Sequence, residues 1–152
     1  MYDRHMEMQN CTICRISLPI THFGKRKDNR YSVGYYYYPH CKDCVAEKTR
    51  LWNAKNREEC LSLLCGDHPQ CANCGYDSDV RALEFDHINN DAYLEREYSK
   101  NSGKSYLWKE IKTNPHRFQV LCANCNRIKA VEFIVQMYED RRSARLALIL
   151  SS

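Results

Sequence analysis

Four pairs of cysteines constrain this chain more than anything else in it. They are Cys11/Cys14, Cys41/Cys44, Cys71/Cys74 and Cys122/Cys125, each with two residues between its members. That spacing lets both thiolates of a pair reach one tetrahedral ion, and two pairs complete a four-sulfur Zn2+ site. One ion is therefore expected for the first two pairs and one for the last two. The rival reading is a disulfide framework. The opening residues MYDRHMEMQN carry no apolar signal core, and no apolar run is long enough to span a bilayer. The expected setting is intracellular, where thiols stay reduced and bind metal. A chain of 152 residues makes one domain or two small lobes, and lobes that small need such staples. Cys60 and Cys65 stand outside the pairs in an apolar stretch, and read as buried small residues.

The pairs divide the chain. Residues 1–44 read as a zinc-binding hairpin lobe: GKRKDNR is a charged turn, and YSVGYYYY has strand-forming residues interrupted by Gly34. Residues 45–70 read as a linking helix. Its stretch to Leu64 has no Pro or Gly and sets Leu51, Trp52, Ala54, Leu61 and Leu64 on one side, and GDHPQ stops it. Its Lys48, Arg50, Lys55 and Arg57 face either nucleic acid or solvent. Residues 71–152 hold the strand-like LEFDH, a polar loop, the helical YLWKEIKTN, the apolar strand FQVLC and a last helix. The inner face of that helix is expected to be Ile128, Val131, Ile134, Val135 and Tyr138. SGKS at 102–105 imitates the end of a phosphate-binding loop. Tyr98 stands where that motif needs Gly, and no apolar strand precedes it, so it reads as a flexible loop. The fold class is small α+β, and the two halves are alike only in cysteine spacing.

The reactive residues lie between and just after the last two pairs. Asp86 and His87 end a strand, and Asn126 follows Cys125 directly. An ion on Cys71, Cys74, Cys122 and Cys125 would bring these three together. Asp86 and Asn126 offer hard oxygens, suited to Mg2+ or Mn2+ and leaving most of the shell to water and a phosphate. Neutral His87 can take a proton from water. Set against this, a lone His is usually structural, Asn after a knuckle can simply cap a helix, and strand alternation sends Asp86 and His87 to opposite faces.

CANCG, FDHIN and FQVLCANCNRIK together resemble the HNH, or ββα-metal, family of endonucleases, especially phage and restriction members with structural zinc. The resemblance covers residues 71–137. It implies a zinc-stapled ββα-metal nuclease core over 71–152, preceded by the zinc-binding lobe and the linking helix. It also implies a bacterial or phage-infected cell as the setting. Asp86 matches the family's metal-binding acid, His87 its general base, and Asn126 the last His of the motif, where Asn is a known variant. The implied catalytic set is His87, Asp86 and Asn126, with one catalytic Mg2+ or Mn2+ beside two structural Zn2+. The family's middle Asn falls at Arg117, a departure, and Asn114 lies nearby.

The expected partner is DNA. Lysine and arginine number 23 against 19 acids, a net charge of +4. Charge that mild says little, but Lys25, Arg26, Lys27 and Arg30 cluster beside Tyr35–Tyr38, either as cations on phosphates with rings that stack or as ordinary surface charge, with at least two of the tyrosines expected to fill the lobe's core. Arg127 and Lys129 flank the catalytic helix start, on phosphate or as ordinary surface charge. A homodimer is also expected to be possible, through ARLALIL near the C-terminus. Two other readings compete: a non-catalytic zinc-stapled DNA-binding protein, and a protein-interaction zinc module.

Overall fold

Two hairpins, each running from a cysteine knuckle into a helix, organise the chain. The computed structural model describes residues 7–28, 30–91 and 103–150. In chain order these form β1 (Met8–Asn10), β2 (Ser17–Pro19), β3 (Phe23–Lys27), β4 (Tyr35–Cys41), α1 (Lys42–Cys65), β5 (Leu83–His87), α2 (Gly103–Thr113), β6 (Phe118–Cys122) and α3 (Ala123–Leu150). The strands pair antiparallel as β1–β2, β3–β4 and β5–β6, so the described residues form a small α+β fold with three two-stranded sheets. No helix among the described residues is long and apolar enough to cross a membrane.

The chain separates into two compact units, 1–55 and 56–152, with the boundary inside α1. The segment expected as a linker at 45–70 is thus shared rather than separate. Leu51 and Trp52, expected on an apolar side, are exposed, whereas Asn56, Cys60 and Leu61 are buried in the second unit. Gly66 ends α1 as expected, with φ 69° and its N–H on the Ser62 carbonyl at 2.8 Å. That left-handed turn favours a residue without Cβ. Arg57 belongs to the structure rather than to a nucleic-acid face: its guanidinium donates to the Val80 and Leu83 carbonyls, both at 2.7 Å.

In the second unit β5 and β6 pair without a bulge, Leu83 opposite Cys122 and Asp86 opposite Gln119. Alternation then assigns the faces. Leu83, Phe85, Phe118 and Val120 point one way, into a core with Cys60, Leu61, Trp108 and Ile111. Phe85 meets Trp108 edge-on, ring centres 5.6 Å apart. Glu84, Asp86, Gln119 and Leu121 point the other way, toward the start of α3. The helix α2 begins at Gly103, so the expected flexible loop at 102–105 is helical from there on; residues 92–102, the rest of the polar loop, lie outside the described residues.

The last helix is rotated from expectation. Asn126, Lys129, Ala130 and Phe133 are its half-buried residues, while Ile128, Val131, Ile134, Val135 and Tyr138 are exposed. The helix starts where the cysteines hold it, which turns Lys129 and Ala130 rather than the most apolar side chains toward the hairpin.

Both units share more than cysteine spacing. Each has a knuckle, a 3-10 turn leading into a strand, a later strand ending in the third cysteine, and a helix whose first turn carries the fourth. The first residue of the earlier strand is buried in both and lies opposite the third cysteine, Phe23 to Cys41 and Leu83 to Cys122.

Ile111 is fully buried among Cys60, Trp108 and Phe118. Ile111→Ala should cost about 2–5 kcal/mol through lost transfer energy and a residual cavity. Urea unfolding followed by tryptophan fluorescence reads the change.

Candidate functional site

The cysteines gather as two groups of four. Cys11, Cys14, Cys41 and Cys44 form one and Cys71, Cys74, Cys122 and Cys125 the other, with the sulfurs of each group within 4.8 Å of one another. Cys74 Sγ lies 3.8 Å from Cys122 Sγ. A disulfide requires about 2 Å, which excludes that pairing. Four sulfurs at about 2.3 Å from a tetrahedral ion stand about 3.8 Å apart, so the spacing fits Zn2+.

Local geometry makes each group a preformed cradle. In the first knuckle the Arg15 N–H bonds the Cys11 carbonyl at 2.9 Å; in the second Gly75 does the same to Cys71, also at 2.9 Å. Both turn-closing residues are left-handed, Arg15 at φ 64° and Gly75 at φ 73°. Backbone N–H groups then point at sulfur: Ile13 and Cys41 donate to Cys11 Sγ at 3.4 and 3.3 Å. The Cys41 N–H, with lesser help from neighbouring donors, holds the Cys11 thiol down at about 6. Burial pushes the Cys71 thiol up, but donors at Cys122, Cys74 and Asn73 outweigh it and hold it at about 6. Each cradle thus offers a ready thiolate ligand.

The second group fixes the start of α3 over the β5–β6 hairpin, and the polar residues of that face meet there. Asp86 Oδ2 accepts from Lys129 Nζ at 2.5 Å and from Gln119 Nε2 at 2.8 Å. Lys129 also donates to the His87 carbonyl at 2.5 Å. The Lys129–Asp86 pair is mostly buried, its side chains 22% and 14% exposed. The Asn126 amide donates to Glu84 Oε2 at 2.6 Å, on the same strand face as Asp86. Lys129 takes the place beside Asp86 because it lies one helical turn further on, over the strand's end. A cleft of about 250 Å³ beside this cluster is lined by Gln119, Lys129 and Glu132 among others. The oxygens of the hydrogen-bonded cluster itself, from Asp86, Glu84, Gln119 and Asn126, are hard donors of the kind that suit Mg2+ or Mn2+. Arg127 is exposed on the next step of the helix.

His87 projects from the opposite face, as alternation requires, and its ring packs on Phe118 with centres 4.4 Å apart. The turn after it is braced by charge. Arg117 donates to Asp91 at 3.0 Å and to Glu110 at 2.9 Å, and Asn114 shares Glu110 at 2.8 Å. The Ile88 N–H bonds the Arg117 carbonyl at 2.9 Å. Arg117 holds the Asp91 carboxyl below its usual range, with a smaller contribution from His87. Sequence reasoning missed Asp91, Glu110, Glu84 and Gln119. The only signal for the last two was the two-residue period that sets Glu84 beside Asp86, and Gln119 three before Cys122.

The basic residues of the first unit line its β3–β4 hairpin. Lys25 Nζ sits 3.6 Å from the centre of the Tyr35 ring. Hydrogen bonding to Tyr36, and lesser interactions with Tyr38, raise the Arg26 pKa above its ordinary value. Arg30 is tied to Asp28 at 2.7 Å. Arg26, Lys27, Arg30 and Tyr36 line an open cleft of about 590 Å³ with Asp28. Tyr31, Tyr36 and Tyr38 form a ladder with ring centres 5.5 and 5.3 Å apart. Of Tyr35–Tyr38, Tyr37 packs on the Cys11, Phe23 and Cys41 core. Cys60 is buried, as expected, and burial pushes its thiol up.

Comparison with family models, curated proteins and solved structures gives no match.

Two zinc ions per chain are expected from elemental analysis of the purified protein, and one after Cys74→Ser. Fewer than two, with disulfides mapped by mass spectrometry, would reject the four-sulfur sites. Arg15 occupies the left-handed position that Gly75 fills in the other knuckle. Arg15→Gly should therefore raise stability, by up to about 1 kcal/mol after the entropy of the unfolded chain is counted, as read from denaturation midpoints.

Proposed function

We propose that the second unit is a metal-dependent endonuclease site of the HNH type and that its substrate is DNA. One observation carries the reading: the four-cysteine group sets the first turn of α3 against the end of β5, so that Asn126, Lys129, Glu84, Asp86 and Gln119 converge. A structural zinc module has no need to bury a lysine–carboxylate pair beside its staple.

Asp86 and Asn126 would hold Mg2+ or Mn2+, with Glu84 in reach of the same amide. The ion would supply positive charge to the phosphate and the leaving oxygen. His87 closes β5 from the other face, so a phosphate lying across the strand's end would stand between it and Asp86. His87 then takes the proton of the attacking water. Arg117 and Asp91 hold the turn that follows His87, a bracing role that the family gives to Asn. Lys129 neutralises Asp86 while no ion is bound, and once displaced it is placed to meet a phosphate oxygen. Lys25, Arg26, Lys27, Arg30 and Arg127 bind the DNA backbone by charge. The Tyr31–Tyr36–Tyr38 ladder and Lys25 over Tyr35 support the second reading, a zinc-stapled DNA-binding protein without catalysis.

Cleavage of supercoiled and branched DNA with Mg2+ or Mn2+ separates the two. His87→Ala should lower the cleavage rate about 10²-fold or more while zinc content and DNA binding persist. Asn126→Ala should lose metal-dependent cleavage and keep both zinc ions. Near wild-type rates in both variants would leave the non-catalytic reading. Neutralising Lys25, Arg26 and Lys27 together should lower the salt slope of DNA binding by up to about 2.7, the value for three lost phosphate contacts. An unchanged slope would remove that hairpin from the interface.

A further inference from the structure

The outer face of α3 has no use in the proposed nuclease site. Val131, Val135, Glu139, Arg142, Leu146 and Leu150 share an arc of about 100° on the helix, at 100° per residue, with Glu132 and Ile149 at its two edges. This arc lies roughly opposite Asn126, Lys129, Ala130 and Phe133, the side turned toward the hairpin. A helix of a soluble unit normally puts its apolar stripe inward and its charges outward. Here Val131, Val135, Leu146 and Leu150 are 46%, 49%, 51% and 87% exposed. Only Cys125 is buried in the whole 28-residue helix. A helix so little covered gains its stability by burying that stripe against something else.

We propose that the stripe is an antiparallel seam with the α3 of a second copy of this chain. The charges choose both the occupant and the direction. Glu139 and Arg142 interrupt the stripe near its middle, and Glu132 lies at its edge, opposite Ile149 about the same axis. A parallel, in-register pair would set Glu139 against Glu139 and Arg142 against Arg142. An antiparallel pair with its two-fold axis between Asp140 and Arg141 sets Glu139 against Arg142 twice. The same axis puts Val131 opposite Leu150 and Val135 opposite Leu146. The stripe is therefore complementary to itself, as an isologous interface must be. The seam runs about 28 Å from Val131 to Leu150. It does not depend on the nuclease reading.

The test is sedimentation equilibrium of the full-length zinc-loaded chain at micromolar concentration. Wild type should be a dimer. Glu139→Arg and Arg142→Glu should each weaken association at least about tenfold, because each leaves like charges facing across the seam. The double variant carrying both should recover dimers, since the pair is restored with its signs exchanged. Arg141→Glu makes the same change of net charge as Arg142→Glu but off the arc, and should leave the dimer intact. A monomeric wild type would overturn the proposal and give the stripe to some other partner. A double variant no better than its parents would also overturn it, as would an Arg141→Glu effect equal to that of Arg142→Glu.

Discussion

The meeting of Cys71, Cys74, Cys122 and Cys125 is the contact on which the second unit depends. It joins residues about fifty apart in sequence, and it does so at the one place where hairpin and helix must stay aligned. The knuckle supplies Cys71 and Cys74, the end of β6 supplies Cys122, and the first turn of α3 supplies Cys125. An ion held by all four ties the angle of the helix to the register of the strands. Core packing alone would set that angle loosely, since Cys125 is the one residue of the helix buried in the core. Four thiolates within bonding distance of one cation leave far less freedom.

That rigidity has an electrostatic consequence. Asp86 sits mostly buried on a hairpin face, where a lone carboxylate would be costly. Lys129 and Gln119 satisfy it, and both are placed by the elements that the cysteines align. A buried pair of this kind is weak support for stability, because desolvating both charges offsets much of their attraction. Its effect is to fix the lysine's positive charge at the end of β5, next to the start of α3.

Much of this was legible in the sequence, for identifiable reasons. The cysteine spacing marked both tetrads, because metal ligation restricts spacing more tightly than packing does. FQVLC and LEFDH read as strands, since their alternation and flanking turns left little choice. The bounds of the core helices were less visible. α1 is shared between units because the last half of its sequence packs with Trp108 and Phe118, residues that no local pattern connects to it. The face of α3 was misread because periodicity locates a stripe but does not say whether the stripe meets the chain's own core. The hydrogen bond from the Asn126 amide to Glu84 was not legible, because it follows from the pleat that sets Glu84 on the same face as Asp86. The bracing by Arg117 required Asp91 and Glu110, whose positions depend on the turn and on α2.

The shared plan of the two units shows how little a frame says about chemistry by itself. In the second unit the first strand after its buried Leu83 carries Glu84 and Asp86, and the helix carries Asn126 directly after its cysteine. In the first unit the strand after Phe23 carries Lys25, Arg26 and Lys27, and Val45 follows Cys44. A register shift between Phe23 and Lys25 moves these side chains further from the second unit's pattern. The nearest carboxylate, Asp28, is already held by Arg30. One frame therefore presents oxygen donors suited to a cation, and the other presents cations suited to an anion. The cysteine tetrads make this division possible, because each holds its unit together regardless of which charges line the strands.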